Sequence, residues 1–157
     1  MKPLKPQELA YWNLYLATLP EAERKKEYGV EANIAGNLEI ADELLALYLN
    51  GKKTAASSLL QAYLIASEPL PELGGHWIVL DSKLVPRCIV KTLRTETHKF
   101  RDIPEYVAKG EGEGDLSLAY WRKAHIWFFT PYLKEWGVEN LEEADVIVEF
   151  FEVVYKQ

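Results

Sequence analysis

The sequence is poor in the residues that build covalent or metal-held folds. It has one cysteine, Cys88, and three histidines, His76, His98 and His125, across 157 residues. A lone thiol excludes an intrachain disulfide framework and any zinc site made of several thiolates. Three widely separated histidines do not read as a ligand cluster, so no metal and no cofactor is expected. No run approaches the roughly 20 apolar residues of a membrane span. The start, Met1-Lys2-Pro3-Leu4-Lys5-Pro6, lacks the apolar stretch of a secretory signal. An excess of positive charge is missing too, with 18 Lys and Arg against 24 Asp and Glu, a net charge of −6. That balance argues against non-specific binding to long nucleic acid, which depends on neutralising phosphates, and leaves room for a local basic groove or a small ligand.

What is present is the composition of a folded chain, 48% hydrophobic and 27% charged, without internal repeats or low-complexity runs. The length suits one domain, 1–157, with its own core and a cytoplasmic, reducing location. Leu9, Trp12, Leu14, Tyr15 and Leu16 give residues 7–18 a rough helical period that Pro20 ends, and Glu21 to Glu27 reads as a charged turn of helix. A clearer stripe, Leu38, Ala41, Leu44, Leu45, Tyr48 and Leu49, predicts a helix with Asn37 as N-cap and Asn50-Gly51 as its stop. His76 to Leu80 reads as a buried strand, Asp81-Ser82-Lys83 as a turn, and Pro86 to Glu96 as the second half of a hairpin. Ile103 to Lys109 suggests a short helix capped by Asp102 and stopped by Gly110, and Leu116 to Leu133 a long one that Pro131 ends or kinks. Ala144 to Tyr155 closes the chain as a strand. Hairpins among flanking helices make an α+β fold, a small barrel wrapped by helices.

Three places join reactive groups to backbone that can hold them. Gly51-Lys52-Lys53-Thr54-Ala55-Ala56-Ser57-Ser58 follows a helix stop, and its lysines and hydroxyls suit anion binding or lysine-assisted nucleophilic attack. The alternative is two solvated lysines at a helix C-terminus, where cations are favoured. Around Glu111, Glu113 and Asp115, glycines let carboxylates approach a ligand, and a carboxylate opposite Lys53 would form an acid/base pair. Asp115 reads as the N-cap of the next helix, which leaves Glu113 as the functional candidate. On that helix Leu118, Trp121, His125, Phe128 and Tyr132 share one face, the pattern of a packed core with His125 as a hydrogen-bonded packing residue, while Tyr120 and Arg122 lie off the stripe. Charge is uneven as well. Lys83, Arg87, Lys91, Arg94, Lys99 and Arg101 follow the hairpin, and Glu139, Glu142, Glu143, Asp145, Glu149 and Glu152 crowd the C-terminal region. A basic face beside aromatic rings would suit a nucleotide or single-stranded RNA; an ordinary solvated sheet face is the other reading.

Taken in order, these residues resemble the ASCH domain. The carriers are Gly51-Lys52-Lys53-Thr54-Ala55 after a helix, Leu73-Gly74 before the strand ending Ile78-Val79-Leu80-Asp81, and the run from Glu111 through Gly112-Glu113-Gly114-Asp115 to Tyr120-Trp121-Arg122-Lys123-Ala124-His125. Phe151-Glu152-Val153-Val154-Tyr155 closes the match, which spans about Tyr11 to Tyr155 and resembles the larger bacterial branch, with residues 1–36 as an N-terminal helical extension. The resemblance implies a PUA-like small β-barrel flanked by helices, with a cleft on one side that binds RNA or a nucleotide-like or modified nucleoside ligand. One branch of the family resembles an acetylcytidine amidohydrolase that uses a lysine, a threonine three residues later and a glutamate; another member type is described as a ribonuclease. Carried over, the lysine falls on Lys53, the glutamate on or beside Glu113 and the threonine on Ala56, which has no hydroxyl. Thr54 or Ser57 would have to substitute, and on an extended segment Ser57 faces away from Ala56.

The expected role is therefore ligand binding. Lys53, with Lys52 beside it, would meet a phosphate or carbonyl oxygen, Arg94 and Arg122 would add charge, and Tyr120 or Trp121 would stack a base. The rival is a hydrolase in which Lys53 and Glu113 serve as acid and base with Thr54, Ser57 or water attacking, or an RNA-cleaving variant with a divalent metal on Glu113 and Asp115. A third reading gives the N-terminal helices to protein interaction, as a homodimer surface.

Overall fold

The computed structural model describes residues 2–24 and 29–157. Five strands form one curled sheet, a half-barrel, in the order β1-β3-β4-β5-β2. They are β1 Val30–Ile34, β2 Ala55–Leu59, β3 His76–Leu80, β4 Pro86–Lys99 and β5 Asp145–Lys156. β1 runs parallel to β3, and every other pairing is antiparallel. β4 is the long spine: it pairs with β3 and with β5, and register shifts at Ile89/Val90 and Thr92/Arg94 bend it. Five helices flank the sheet: α1 Pro6–Leu16, α2 Ala41–Leu49, α3 Leu60–Ala66, α4 Glu105–Glu111 and α5 Leu118–Phe129.

Strand alternation divides the core. Ile78, Leu80 and Ile89 point to α1, where they meet Tyr11, Trp12 and Tyr15. Their neighbours Val79, Cys88 and Val90 point the other way, to Leu44, Leu45 and Tyr48 of α2. On β5, Val146, Val148 and Phe150 pack against α4 and α5, while Phe151 joins the α2 layer. Cys88 is buried in that layer, and burial pushes its thiol up to about 12, which makes it an inert packing group.

Several boundaries differ from the sequence reading. Within the expected N-terminal helical extension, 1–36, the described residues form helix α1 and also edge strand β1, which pairs with β3. β2 and α3 were not foreseen: Ala-Ala-Ser-Ser-Leu is too short and too small-sided to announce a strand, and pairing with β5 decides its conformation. Asn37 Oδ1 does accept the Ile40 N–H at 3.2 Å, but it caps a turn and α2 begins at Ala41. α4 starts after Pro104, runs through Gly110 and ends at Gly112, so neither Asp102 nor Gly110 bounds it, and Glu111 lies on a helix rather than in a loop. Ser117 caps α5, accepting the Tyr120 N–H at 3.0 Å, and Asp115 instead holds the Ser117 N–H at 2.9 Å. Of the expected charged turn, Glu21–Glu23 forms a 3-10 turn and residues 25–27 lie outside the described residues. Among the described residues no helix is long and apolar enough to cross a membrane.

Trp12 is fully buried between α1 and the sheet. Trp12→Ala is expected to cost about 3–5 kcal/mol in urea unfolding; a cost under about 1 kcal/mol would mean that α1 does not seal this face.

Candidate functional site

The ends of three elements meet at Lys53. Its backbone N–H donates to the Leu47 carbonyl of α2 at 3.0 Å, which fixes where the chain leaves that helix. The next residue is held from two sides: Thr54 N–H donates to the Gly110 carbonyl at 2.6 Å, and Phe151 N–H donates to the Thr54 carbonyl at 3.0 Å. α4 therefore ends directly against the strand entry. Gly112, at φ +71°, is required there, because a Cβ on it would lie 2.3 Å from the Lys52 carbonyl oxygen. This contact delivers Glu111 and Glu113 to the lysine.

Lys53 Nζ donates to Glu111 Oε1 and to Glu113 Oε2, each at 3.1 Å. The two carboxylates sit differently, since the Glu111 side chain is 3% exposed and that of Glu113 21%. Glu111 is surrounded by donors. Its Oε2 accepts the Ser57 hydroxyl at 2.7 Å and the Trp121 indole N–H, and His125 Nε2 lies 3.3 Å away. Burial would raise this carboxyl, yet the charges of His125 and Lys53 and the hydrogen bonds from His125 and Ser57 outweigh it and hold it far below the carboxylate range. Burial likewise opposes charge on Lys53, and Glu111 and Glu113 overcome it, so the ammonium is held above its ordinary value. Glu111 is thus a fixed anion with both oxygens engaged by protein donors, whereas Glu113 is the more open of the two carboxylates.

Two concavities flank the ion pair, one lined by Glu113 and the other by Lys53. A shallow depression lined by Glu111, Glu113, Ser117, Tyr120, Trp121 and His125 is filled by its own side chains. A groove of about 480 Å³ runs between the end of α2 and β5, lined by Tyr48, Asn50, Lys53, Thr54, Phe151 and Tyr155 among others. That volume lies within the range of small-molecule sites. The Tyr48 ring stacks on Phe151 at 5.0 Å, with Lys53 Nζ 6.0 Å from its centroid.

The structure brings some predicted residues together and separates others. Lys53 and Glu113 meet directly, and Ser57 joins them through Glu111. The Thr54 hydroxyl turns away, donating to the Gly110 carbonyl at 3.2 Å. Ala55 packs toward α4 and Ala56 toward α2, so Ser57 and Ala56 occupy opposite faces of β2. Lys52 is exposed, its N–H held by Asn50 Oδ1 at 2.9 Å. Trp121 is 2% exposed and committed to Glu111, which closes its face to a base. Tyr120 is exposed, its ring folded over Gly114. Arg94 lies over the Phe150 ring at 3.8 Å and pairs with Glu96 at 3.3 Å, and Arg122 is taken by Glu142 and lies 5.0 Å from the Phe100 ring, so neither reaches Lys53. Asp115 is occupied by Ser117. Among the described residues no three or more His, Cys, Asp and Glu side chains are grouped to hold a metal ion.

The basic stripe has partners. β5 lies beside β4, so the acidic C-terminal residues fall opposite the basic ones: Lys91 pairs in register with Glu152, and Lys99 with Asp145, the latter as an ion pair at 3.1 Å. Arg101 pairs with Glu143. Of the expected basic face, Arg87, Arg94, Lys99 and Arg101 are ion-paired and Lys91 stands in register with Glu152.

With fold and site in view, the chain's relationships are clear. Residues 31–155 match the ASCH domain model, and the chain belongs to the ASCH domain family. Over 99% of its length it is similar to the ASCH domain from Lactobacillus crispatus JV V101, with 28% identity, a TM-score of 0.90 and 98% of that chain covered. Protein EF3133 from Enterococcus faecalis V583 is similar over 92% of this chain and 85% of its own, at 27% identity and a TM-score of 0.78. No curated protein matches the sequence.

Two outcomes follow from this geometry. Because the folded Glu111 carboxyl titrates far below its unfolded value of about 4.5, its stabilisation is present above that pH and fades as pH falls. The melting temperature is expected to drop below about pH 4.5, and Glu111→Gln to cost about 3 kcal/mol at neutral pH by stranding Lys53 and His125; unchanged stability would remove Glu111 from the centre of the site. Gly112→Ala is expected to destabilise by more than about 1 kcal/mol through strain at φ +71° and collision with Lys52, checked by the same unfolding titration.

Proposed function

We propose that the protein binds a nucleoside or nucleobase-like ligand, free or presented on RNA, at the Lys53–Glu113 pair, with the groove beside Lys53 receiving the body of the ligand. The observation that carries this reading is the pairing of one buried ammonium with two carboxylates at 3.1 Å. A lysine so neutralised has little charge left for a phosphate, which the glutamates would repel. All three Lys53 ammonium protons have acceptors in the protein, so a ligand carbonyl would take over the proton now given to Glu113 while Glu113 accepts a ligand N–H, which matches the carbonyl and N–H edge of a base or an acylated base. The β4–β5 stripe supports it, because Arg87, Arg94, Lys99 and Arg101 are already paired with carboxylates, which weakens a track for a phosphate backbone. The aromatic face for a base comes from Tyr155, half-buried at the groove, rather than from the buried Trp121.

A hydrolase is the second reading, favoured by the Ser57 hydroxyl, 2.7 Å from Glu111 and close to the lysine. Against it stands the depressed Glu111 carboxyl, a poor proton acceptor at neutral pH, and the alanine at position 56.

Glu113→Gln separates these roles from structure, because that side chain sits at the surface end of the pair. Titration of acetylcytidine and cytidine is expected to show at least about tenfold weaker binding for the variant, the loss of one charge-assisted hydrogen bond, with the melting temperature nearly unchanged. Equal affinity for wild type and variant would overturn the assignment. Product formed by wild type and abolished by Ser57→Ala, read by mass spectrometry, would replace binding with hydrolysis.

A further inference from the structure

His125 lies on the buried face of α5, 8% exposed, and both of its ring nitrogens face oxygen atoms. Nδ1 is 2.7 Å from the Trp121 carbonyl oxygen, and Nε2 is 3.3 Å from Glu111 Oε2. A carbonyl oxygen only accepts hydrogen bonds, and so does an ionised carboxylate, so both contacts are favourable only if each nitrogen carries a proton. A neutral imidazole would turn a lone pair onto one of them. The ring is also clamped: the Trp121 indole stacks on it at 4.0 Å and 19°, and Phe129 lies 5.6 Å away. It is therefore held with both nitrogens on these acceptors.

The charges around it balance in only one state. Glu111 faces the ring from the end of α4, Glu113 in the loop that follows lines the same depression as the ring, and Lys53 stands behind Glu111 from the segment before β2. The residues of α5 on this face are Trp121 and Phe129, both uncharged. With His125 protonated, two cations face two carboxylates. With it neutral, a net negative charge is left in a buried place, which is costly. Glu113, the more exposed carboxylate, is the member able to leave for water.

We propose that His125 is a positioning residue for the Lys53–Glu113 pair: as an imidazolium it shares the charge of Glu111, so that the Lys53 ammonium stays divided between the two carboxylates and Glu113 stays at the ligand site. Loss of its proton gives Lys53 over to Glu111, Glu113 swings outward, and ligand affinity falls. This rests on Lys53–Glu113 being the ligand site. The direction of titration agrees: burial disfavours the charge, but Glu111 outweighs it and holds the ring above its ordinary 6.5. Stabilisation and affinity are thus in place below 6.5 and are lost as pH rises through the higher folded value.

The test follows the His125 ring ¹⁵N and Glu113 carboxyl ¹³C resonances of the unliganded wild-type protein from about pH 5 to 10, with acetylcytidine titrations at matching pH. The expected result is a doubly protonated ring at pH 6, a Glu113 shift with the His125 midpoint, and a Kd that rises about tenfold through it. His125→Gln is expected to bind weakly with no dependence on pH over this range; if that variant does not fold, the wild-type resonances decide. A neutral ring at pH 6, or a Glu113 signal indifferent to the His125 midpoint, overturns the proposal. A Glu113 signal that tracks His125 with no acetylcytidine binding at any pH supports the coupling and overturns the ligand assignment instead.

Discussion

The ionised Glu111 carboxylate is the constraint on which the rest of the site depends. A carboxylate taken out of water is tolerated only if its charge is matched and its lone pairs are used. Here the demand is met by donors from three separate elements: Lys53 before β2, Ser57 within it, and Trp121 and His125 on α5. Each must arrive within about 3 Å, so the carboxylate dictates how α4, α5 and β2 pack. The close approach at Gly110 and Gly112 is the backbone side of the same requirement. A Cβ at Gly110 would stand 3.1 Å from that of Ala55, and one at Gly112 would strike the Lys52 carbonyl. Small residues at these contacts let a helix end sit on a strand entry and bring Glu111 to the lysine.

That arrangement leaves Glu113 as the more open of the two carboxylates. Both Glu111 oxygens are held by protein donors, whereas Glu113 is held by the lysine and is partly open to water. The pair therefore presents a donor and an acceptor side by side with little net charge to attract an anion. The sheet behaves in the same way at larger scale, because the β4–β5 register sets acidic residues against basic ones and cancels a stripe that looks cationic in the linear sequence. On the proposed reading, site and surface suit a ligand recognised by its hydrogen-bonding edge and rings over one recognised by phosphate charge.

Much of the frame was legible in the sequence, for physical reasons that can be named. The buried strand His76–Leu80, the long apolar runs of β4 and β5, and the stripes of α2 and α5 announce themselves through periodicity strong enough to survive tertiary context. β1 and β2 do not, since Val30–Ile34 alternates too briefly and Ala55–Leu59 has little side-chain signal, so pairing partners far along the chain decide both. At the site, the meeting of Lys53 with Glu113 came through family resemblance. The importance of Glu111 was hidden because Gly110 reads as a helix stop, which leaves Glu111 in a loop. Had α4 been extended by two residues, Glu111 would have fallen one turn past Val107 and Ala108, on the buried side. The contact of His125 with Glu111 was hidden as well: its place on the α5 stripe marks it as buried, and only the three-dimensional structure sets its Nε2 3.3 Å from the carboxylate. Arg94 and Arg122 misled for the opposite reason, since isolated arginines look available until Glu96 and Glu142 are seen beside them.

The most direct test of this account is a parallel calorimetric titration of one nucleoside and its 5′-monophosphate at low and high salt. A charge-balanced Lys53–Glu113 site predicts that the nucleoside binds at least as tightly as the monophosphate, with affinity that salt hardly changes. Binding that requires the phosphate and weakens steeply with salt would contradict it, and would mean that Lys53 acts as a free cation rather than as the shared donor of two glutamates.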